Sequence, residues 1–375
     1  MKLAKALALS TAVMMTTTAC SSGSGTSTAT SAPTTTVSES AKEEVKEEKE
    51  EVKDESKEEK AEEPVSTEFV LKHTYDLVNM YDDVILDEIP QRIVTLSTYP
   101  VLSLYDMGLA ENFVGVPTTT TLTYPDDLLD NVEVLPGVMQ ANFDIELIVA
   151  MEPDLVICPA TAMSVHGETL IAAGIPVYAI GMSDMNGEMN VYEYMKHQTD
   201  VLTDAFALTS EAKQAAENIN NRFTELEVRL DEVRPQFEGQ TYLGLTISSV
   251  TDYYLQTPTS TLGTMLSMIG LQDIFAEDES VESSQAHGMS GLVNLEDIVG
   301  LETDLLVYVV SGVPTIEEAQ VNVQAAKDNN PPVWNAIPAA SRGDEISLTS
   351  AYVVTAGVQI IDSMHALIDL LLEQQ

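Results

Sequence analysis

Two stretches of this chain share one pattern, Phe143-Asp-Ile-Glu-Leu-Ile-Val-Ala-Met-Glu-Pro-Asp-Leu-Val156 and Val293-Asn-Leu-Glu-Asp-Ile-Val-Gly-Leu-Glu-Thr-Asp-Leu-Leu306. Aligned on Glu146 and Glu296, they share that glutamate, an Ile-Val pair, a second glutamate and an Asp-Leu pair at equal spacing. Each begins with the apolar spacing of an amphipathic helix and ends in the apolar run of a buried strand. A helix-to-strand unit that recurs in this way predicts two lobes with the same topology.

The segments around these stretches also alternate between strand and helix patterns. The predicted strands begin with an entry hairpin and include Phe69–His73, Val84–Glu88, Arg92–Ser97, Val114–Pro117, Ile175–Ile180 and Thr241–Ile247. Such alternation predicts the α/β class, with two similar lobes of mainly parallel sheets flanked by helices. A long helical stretch from about Val191 to Val233, broken near Thr209, is predicted to join the lobes. We expect Arg234-Pro235 to end it, because proline disrupts a helix interior.

The N-terminus has the pattern of a secretory signal. Lys2 and Lys5 precede an apolar stretch, and Ala19 stands directly before Cys20. The apolar stretch is too short for a membrane-spanning helix, which needs ~20 residues. The cysteine context resembles the lipobox of bacterial lipoproteins, although Thr17 replaces the usual leucine. This resemblance implies that Cys20 carries a lipid; the alternative is an ordinary signal peptide with an incidental cysteine.

The composition of residues 20–63 is that of a tether. Ser, Thr, Ala and Pro give way to a Lys/Glu run, with too few apolar side chains to form a core. The sequence therefore predicts the following organisation: signal peptide 1–19, lipid-anchored disordered acidic tether 20–63, N-terminal α/β lobe 64–190, helical connection with the interlobe helix 191–237, and C-terminal α/β lobe 238–375.

The charge of the chain excludes one class of partner. The formal net charge is −43, and only nine of the 17 Lys and Arg side chains lie in residues 64–375. Such a surface repels phosphate backbones and anionic lipid headgroups, so we expect no nucleic acid and membrane contact only through the lipid anchor. With Cys20 assigned to lipidation, Cys158 is left alone and is predicted to be a small buried residue. Nothing in the sequence indicates a stable oligomer, so a monomer is expected.

Four segments in order resemble the iron-siderophore and cobalamin class of periplasmic binding proteins. They are Arg92–Val116, Ile145–Ile157, Leu170–Val177 and Pro332–Pro338, and the resemblance covers about residues 67–375. It implies a shallow cleft between two lobes, a rigid interlobe helix and limited closure on the ligand. It also implies an extracytoplasmic, lipid-anchored protein that hands a ferric chelate, haem or cobalamin to an ABC transporter permease. No cofactor of its own is implied, because ferric iron would enter as part of the bound chelate.

The same resemblance assigns roles to Glu146 and Glu296. The family typically presents one glutamate per lobe to arginines of the permease, and these two residues occupy those positions. Two exposed carboxylates, one per lobe, would attract a positively charged docking partner and set its orientation. The alternative is that each glutamate only favours the N-terminal dipole of its helix.

The ligand candidates come from two loops and several strand ends. Ala286-His-Gly-Met-Ser290 resembles the His-Gly-x-Ser segment of catecholate-siderophore binders, and Tyr352 falls where that subgroup has a tyrosine. The resemblance implies that His287 and Tyr352 complete the iron shell, whereas a His in a Gly-rich loop is more often a solvated side chain. Because ligands bind beyond the carboxyl ends of parallel strands, further ligand-binding candidates are Ser97, Tyr99, Met163 and Tyr253.

One departure from the subgroup bears on the ligand's charge. Its cleft arginines are replaced here by Met163 and Thr261. A strongly anionic chelate would lack charge compensation, so a hydroxamate or mixed chelate, a partial catecholate, cobalamin or haem is easier to accept. The sequence holds no Gly-x-Ser-x-Gly, His-Glu-x-x-His or phosphate-loop motif, so no enzyme and no catalytic residue are predicted. A surface scaffold without a transport role is the remaining alternative.

Overall fold

The structure, a computed structural model, describes residues 69–73, 81–119, 121–130, 132–136, 143–181, 189–276, 289–354 and 357–374. All of them belong to one unit of the chain, which includes Thr67–Gln375. Within it, two separate large sheets form, one in each predicted lobe. The predicted α/β class with two lobes and a long helix is confirmed.

The first large sheet is entirely parallel. Its five strands lie in the order β5-β4-β3-β6-β7, and the bounds are β3 Ile93–Thr95, β4 Phe113–Pro117, β5 Glu133–Leu135, β6 Leu155–Pro159 and β7 Val177–Ile180. The helices of this lobe are α1 Tyr99–Asp106, α2 Asp126–Leu129, α3 Ile145–Ala150 and α4 Ala160–Ala172. The predicted entry hairpin is the antiparallel pair β1 Phe69–Leu71 and β2 Val84–Leu86.

Side chains along these strands alternate between two cores. In β6, Leu155 and Ile157 enter the largest apolar cluster, whereas Val156 and Cys158 enter a second cluster on the opposite face of the sheet. This period of two follows from strand geometry, and burial on both faces explains why the strands read as continuous apolar runs. The expectation for Cys158 is met: it is buried, unpaired, and burial raises the pKa of its thiol to about 12.

Two helices, α5 Val191–Phe206 and α6 Ser210–Phe237, follow the first sheet. Asn190 begins α5 through a capping box with Glu193, and the Thr209 hydroxyl accepts from the Ala212 N–H at the start of α6. These caps set the predicted break between the two helices. The expected end at Arg234-Pro235 is wrong, since α6 continues to Phe237. Pro235 removes one hydrogen bond to the preceding turn, and burial of Phe237 in the shared core stabilises the continuation.

The second large sheet has parallel and antiparallel parts. Strands β8 Thr241–Ile247, β12 Leu305–Val310 and β13 Glu345–Thr349 are parallel, and β9 Tyr253–Gln256 and β11 Met289–Val293 add antiparallel neighbours. The two-residue strand β10 Gln272–Asp273 pairs with the start of β8. The helices are α7 Thr261–Ile269, α8 Leu295–Ile298, α9 Ile316–Asn329, α10 Pro331–Trp334, α11 Pro338–Arg342 and the C-terminal α12 Gln359–Glu373.

The internal repeat is visible in matching hydrogen bonds. Asp154, before β6, accepts the Arg92 N–H at 2.9 Å and returns its own N–H to the Arg92 carbonyl at 3.0 Å. Asp304, before β12, does the same with Thr241, at 2.7 and 3.1 Å. Each aspartate thereby joins the start of a later strand to the start of the first strand of its large sheet. The helices α3 and α8 likewise begin at equivalent positions, 145 and 295.

The largest core is shared by both lobes. It contains strand residues of the first sheet, such as Ile157, residues of the second sheet, such as Val309, and the buried faces of α5, α6 and α12. Arg222 on α6 adds a polar connection: its guanidinium pairs with Asp106 of α1 at 2.9 Å and with Asp362 of α12 at 3.2 Å. The lobes are therefore joined by packing as well as by chain connectivity.

Candidate functional site

Exposed hydroxyl side chains follow several parallel strands directly. Thr118 comes after β4, Thr161 lies in the first turn of α4 just after β6, and Ser248 and Ser311 follow β8 and β12; all four are exposed. Ser248 and Ser311 follow paired strands, and the Ser311 N–H donates to the Ile247 carbonyl at 3.1 Å. Since ligands of such sheets bind beyond the strand carboxyl ends, these hydroxyls are candidate ligand contacts. None of these four is among the ligand candidates predicted from the sequence, although each lies next to an apolar run and Thr161 is two residues from the candidate Met163.

Tyr352 lies at the carboxyl end of β13. It is the last residue of a short 3-10 helix, Ser350–Tyr352, that follows this strand without a gap. The side chain is half-buried and packs against the shared core. Burial raises the pKa of its phenol, so the free protein holds it neutral. Among the described ligand candidates from the sequence, Tyr352 presents the most side-chain surface.

The chain returns from the second sheet to the first lobe just after Tyr352. Gly357 lies against α1, so closely that a Cβ at this position would be 2.4 Å from the Tyr99 carbonyl oxygen. Two residues later, the Gln359 side chain donates to the Thr121 carbonyl at 3.0 Å. The fold therefore brings the segment that follows Tyr352 against α1, which begins at Tyr99; a ligand cleft at this contact stays a prediction.

The other described candidates lie in the interior. Tyr99 is 7% exposed and Ser97 is 6% exposed, and the Ser97 hydroxyl accepts the Tyr99 N–H. Met163 is buried against Gly167, and Tyr253 packs its ring edge-on to Trp334. Burial raises the pKa of both Tyr99 and Tyr253. In this conformation these four side chains support the core, and their contact with a ligand stays a prediction.

Two predicted residues lie outside the described residues. His287, the second proposed iron ligand, falls in 277–288, and Cys20, the proposed lipid attachment site, falls in 1–68. Within the described ranges, no three His, Cys, Asp or Glu side chains converge as a metal site.

Glu146 and Glu296 occupy equivalent, exposed positions. Each is the second residue of its helix, α3 or α8, and stands two positions after the N-cap residue, Asp144 or Asn294. The Asp144 carboxylate caps α3 by accepting the Leu147 N–H at 3.0 Å. The repeat thus presents one outward carboxylate from each lobe, and the docking role stays a prediction.

The five arginines are committed elsewhere. Arg92 donates to the carbonyls of Met151 and Glu152, and Arg342 donates to the Thr303 carbonyl and pairs with Asp344. Both lie at the amino ends of the sheets. Arg222, Arg229 and Arg234 lie on α6 and pair with carboxylates on α1, α6 or α12. The sequence-based expectation that few arginines reach a cleft agrees with these positions.

Comparison with known proteins gives the class. Residues 93–352 match the sequence profile of a family described as periplasmic binding protein. The chain is 22% identical over 290 residues to YvrC of Bacillus subtilis (strain 168), an uncharacterized ABC transporter substrate-binding lipoprotein; the match covers 76% of this chain and 81% of that protein.

Solved structures share the fold. The iron uptake ABC transporter substrate-binding protein PiuA of Streptococcus pneumoniae superposes with a TM-score of 0.60 at 21% identity, covering 83% of this chain and all of that one. The siderophore-binding protein FhuD of Vibrio cholerae, bound to Fe3+–Desferal, gives 0.54 at 20% identity, covering 76% and 98%.

These matches settle the general role. The expectation of a solute-binding protein of an ABC transporter, rather than an enzyme, is confirmed. No helix within the described part of the chain is both long and apolar enough to cross a membrane. With its two α/β lobes, its long connecting helix and a profile match over most of its length, this chain belongs to the periplasmic binding protein family.

Proposed function

We propose that this protein captures an iron chelate, such as a ferric siderophore, and delivers it to the permease of an ABC importer. The observation that carries the proposal is the position of Tyr352, half-buried at the carboxyl end of β13 and close to the contact between the lobes. A phenolate is a hard oxygen ligand that suits ferric iron where a chelator leaves a position open. The names of PiuA and FhuD, an iron uptake protein and a siderophore binder, point the same way.

Coordination of iron by Tyr352 requires the phenol to lose its proton. The phenol is neutral in the free protein because burial raises its pKa, so binding to iron must release its proton. Affinity for the ferric chelate should therefore increase as the pH rises. His287 is the proposed second ligand, and a neutral imidazole is the form that binds a metal.

The test combines calorimetric titration with visible absorption spectroscopy, using a panel of ferric hydroxamates, ferric catecholates, haem and cobalamin. We expect sub-micromolar binding of a ferric chelate, with a visible phenolate-to-iron charge-transfer band that Tyr352→Phe abolishes and that Tyr254→Phe, a control on β9, retains. Binding of haem or cobalamin alone would keep the importer role and reject the iron chelate. Absence of binding across the panel would favour the surface scaffold.

Delivery is proposed to use Glu146 and Glu296. Both carboxylates are exposed, they occupy equivalent positions in the two lobes, and opposite charges across an interface set the orientation of docking. Replacing both with Lys should abolish uptake of radioactive iron by cells while leaving chelate affinity unchanged. Glu317→Lys is the matched control, because Glu317 is also an exposed first-turn glutamate, on α9. Normal uptake by the double variant would leave only the helix-dipole role.

An extracytoplasmic location, with the protein anchored to the cell membrane by a lipid on Cys20 and the tether 20–63, is part of the same proposal. The relative YvrC is a substrate-binding lipoprotein, which supports it. Cys20→Ser should release the protein from the membrane fraction into the medium or periplasm; retention of the variant in the membrane would contradict lipid attachment at this residue.

A further inference from the structure

The distribution of positive charge limits which ligands the cleft can take. All nine Lys and Arg side chains of residues 64–375 lie within the described residues. Each can therefore be located relative to the strand carboxyl ends, where the ligand of such sheets binds.

Three of these cations lie at the amino ends of the sheets. Arg92 precedes β3 and Arg342 precedes β13, and their guanidinium groups bond to carbonyls in the loops before β6 and β12. Lys327 forms an ion pair with Glu345, the first residue of β13. These positions are separated from the carboxyl ends by the length of the strands.

Four more lie in the helical connection. Lys196 pairs with Glu227 between α5 and α6, and the three arginines of α6 pair with nearby aspartates. The remaining two, Lys72 and Lys213, are exposed, one after β1 and one in the first turn of α6. In the described part of the chain, no cation follows a strand of either large sheet.

The residues after 73 that lie outside the described ranges do not alter this count. Residues 74–80, 120, 131, 137–142, 182–188, 277–288 and 355–356 contain no Lys or Arg, and 277–288 alone carries four Asp or Glu. The side chains available at the strand ends are therefore hydroxyls such as Thr118, Thr161, Ser248 and Ser311. Hydroxyls can hydrogen-bond a ligand but cannot neutralise its charge.

We propose that the cleft selects chelates without net negative charge and binds a cationic chelate most tightly. An anionic chelate would lose hydration without gaining a cationic partner, and the surrounding acidic domain would repel it. A cationic chelate experiences the opposite sign of the same field. This inference rests on the proposed function and names the charge class of its ligand.

The test uses three complexes that share one iron centre and differ only at a distant amine. They are iron-loaded desferrioxamine B, whose pendant ammonium makes the complex cationic, its N-acetyl derivative, which is neutral, and its N-succinyl derivative, which is anionic. The three hydroxamates fill all six coordination positions of the iron, so this series measures the effect of charge apart from any coordination by Tyr352. We expect the dissociation constant to increase from the first to the last by on the order of tenfold or more at low salt. The difference should shrink as salt is added, because screening weakens it.

A pair of variants locates the effect. Thr161→Lys places a cation at a strand end and should reduce the preference for the cationic complex. Ile171→Lys adds the same charge to another exposed position on α4, about 15 Å further along the helix, and should leave the preference nearly intact. Equal effects of the two variants would show that total charge, rather than the cleft, sets the preference, and would overturn the inference.

Two further outcomes are decisive. Equal or tighter binding of the anionic complex would overturn the charge selection while leaving the iron-chelate function intact. Failure of all three complexes, together with the ferric chelates of the wider panel, would reject the iron-chelate function and the charge selection with it.

Discussion

Replacing Gly357 with Ala tests how closely the two lobes approach each other. Gly357 has a φ of +54°, in the left-handed region, and its missing Cβ would be 2.4 Å from the Tyr99 carbonyl oxygen. The obstructing atom belongs to the backbone of α1, so no side-chain rotation can relieve the clash. The variant should therefore lower the free energy of unfolding through two separate effects.

The magnitude follows from the two effects. A non-glycine residue in the left-handed region costs roughly 1–2 kcal/mol, of which the stiffer unfolded chain offsets about 0.4–1 kcal/mol. Forcing a methyl group into a packed contact adds about 1–3 kcal/mol. We expect a total destabilisation of about 2–4 kcal/mol for Gly357→Ala.

Gly343→Ala is the matched control. Gly343 has a φ of +80°, and nothing lies within 4 Å of the position its Cβ would take. Urea unfolding of both variants should give a loss of about 1 kcal/mol for Gly343→Ala and a clearly larger loss for Gly357→Ala, with unchanged m-values. Losses within about 0.5 kcal/mol of each other would show that the Gly357 backbone does not press against the Tyr99 carbonyl in solution.

Two further substitutions test single side chains, His73 and Arg222, that connect separate segments of the chain. His73 accepts the Ala179 N–H through Nε2 and contacts the Asp82 carbonyl through Nδ1, and burial lowers its pKa. As the pH falls below 6.5, the unfolded chain therefore binds a proton at His73 before the folded protein does, so the free energy of unfolding present at pH 7.5 should decline. In urea unfolding, His73→Gln should flatten this part of the plot of midpoint against pH. An unchanged slope would contradict a contribution of His73 to the pH dependence. Arg222→Met should lower the free energy of unfolding by only about 1 kcal/mol, because the ion pairs of Arg222 are partly exposed. In the same assay, Lys213→Met on the same helix should lower it by almost nothing. Equal losses for the two variants would show that Arg222 does not help to join the lobes.

Much of the fold could be predicted from periodicity and caps. The strand Thr241–Ile247 occurs where an apolar run predicted it, because a strand buried on both faces needs such a run. The hairpin β1–β2 also occurs where its apolar residues predicted it, although Ile85 in β2 is exposed. The repeat aligned on Glu146 and Glu296 predicted two lobes, and the matching bonds of Asp154 and Asp304 give its physical basis.

The helix ends were less predictable. Pro235 suggested a stop, but α6 continues to Phe237, whose ring is buried in the shared core. Packing of that ring outweighs the loss of one hydrogen bond near a helix end. The local sequence does not reveal this packing, since the proline is the only signal near the helix end.

The candidate site was predicted only in outline. Tyr352 is half-buried and its ligand role stays a prediction, whereas Tyr99, Met163 and Tyr253 are interior side chains. Position at a strand end does not decide whether a side chain turns inward, since that depends on neighbours such as Gly167 and Trp334 from other segments. The exposed hydroxyls were harder to single out, because serine and threonine follow strands in many proteins without functional consequence.

The shared core determines whether either half of the chain can fold alone. The repeat indicates two halves of common design, yet the buried faces of α5, α6 and α12 are covered only when both halves are present. A fragment cut between Phe237 and Thr241 would leave broad apolar faces in water, so neither half should be autonomous. Co-expressed fragments should instead reassemble and melt in one cooperative transition. The two halves of the repeat therefore form a single folding unit, in which a destabilising substitution in one half should lower the stability of both.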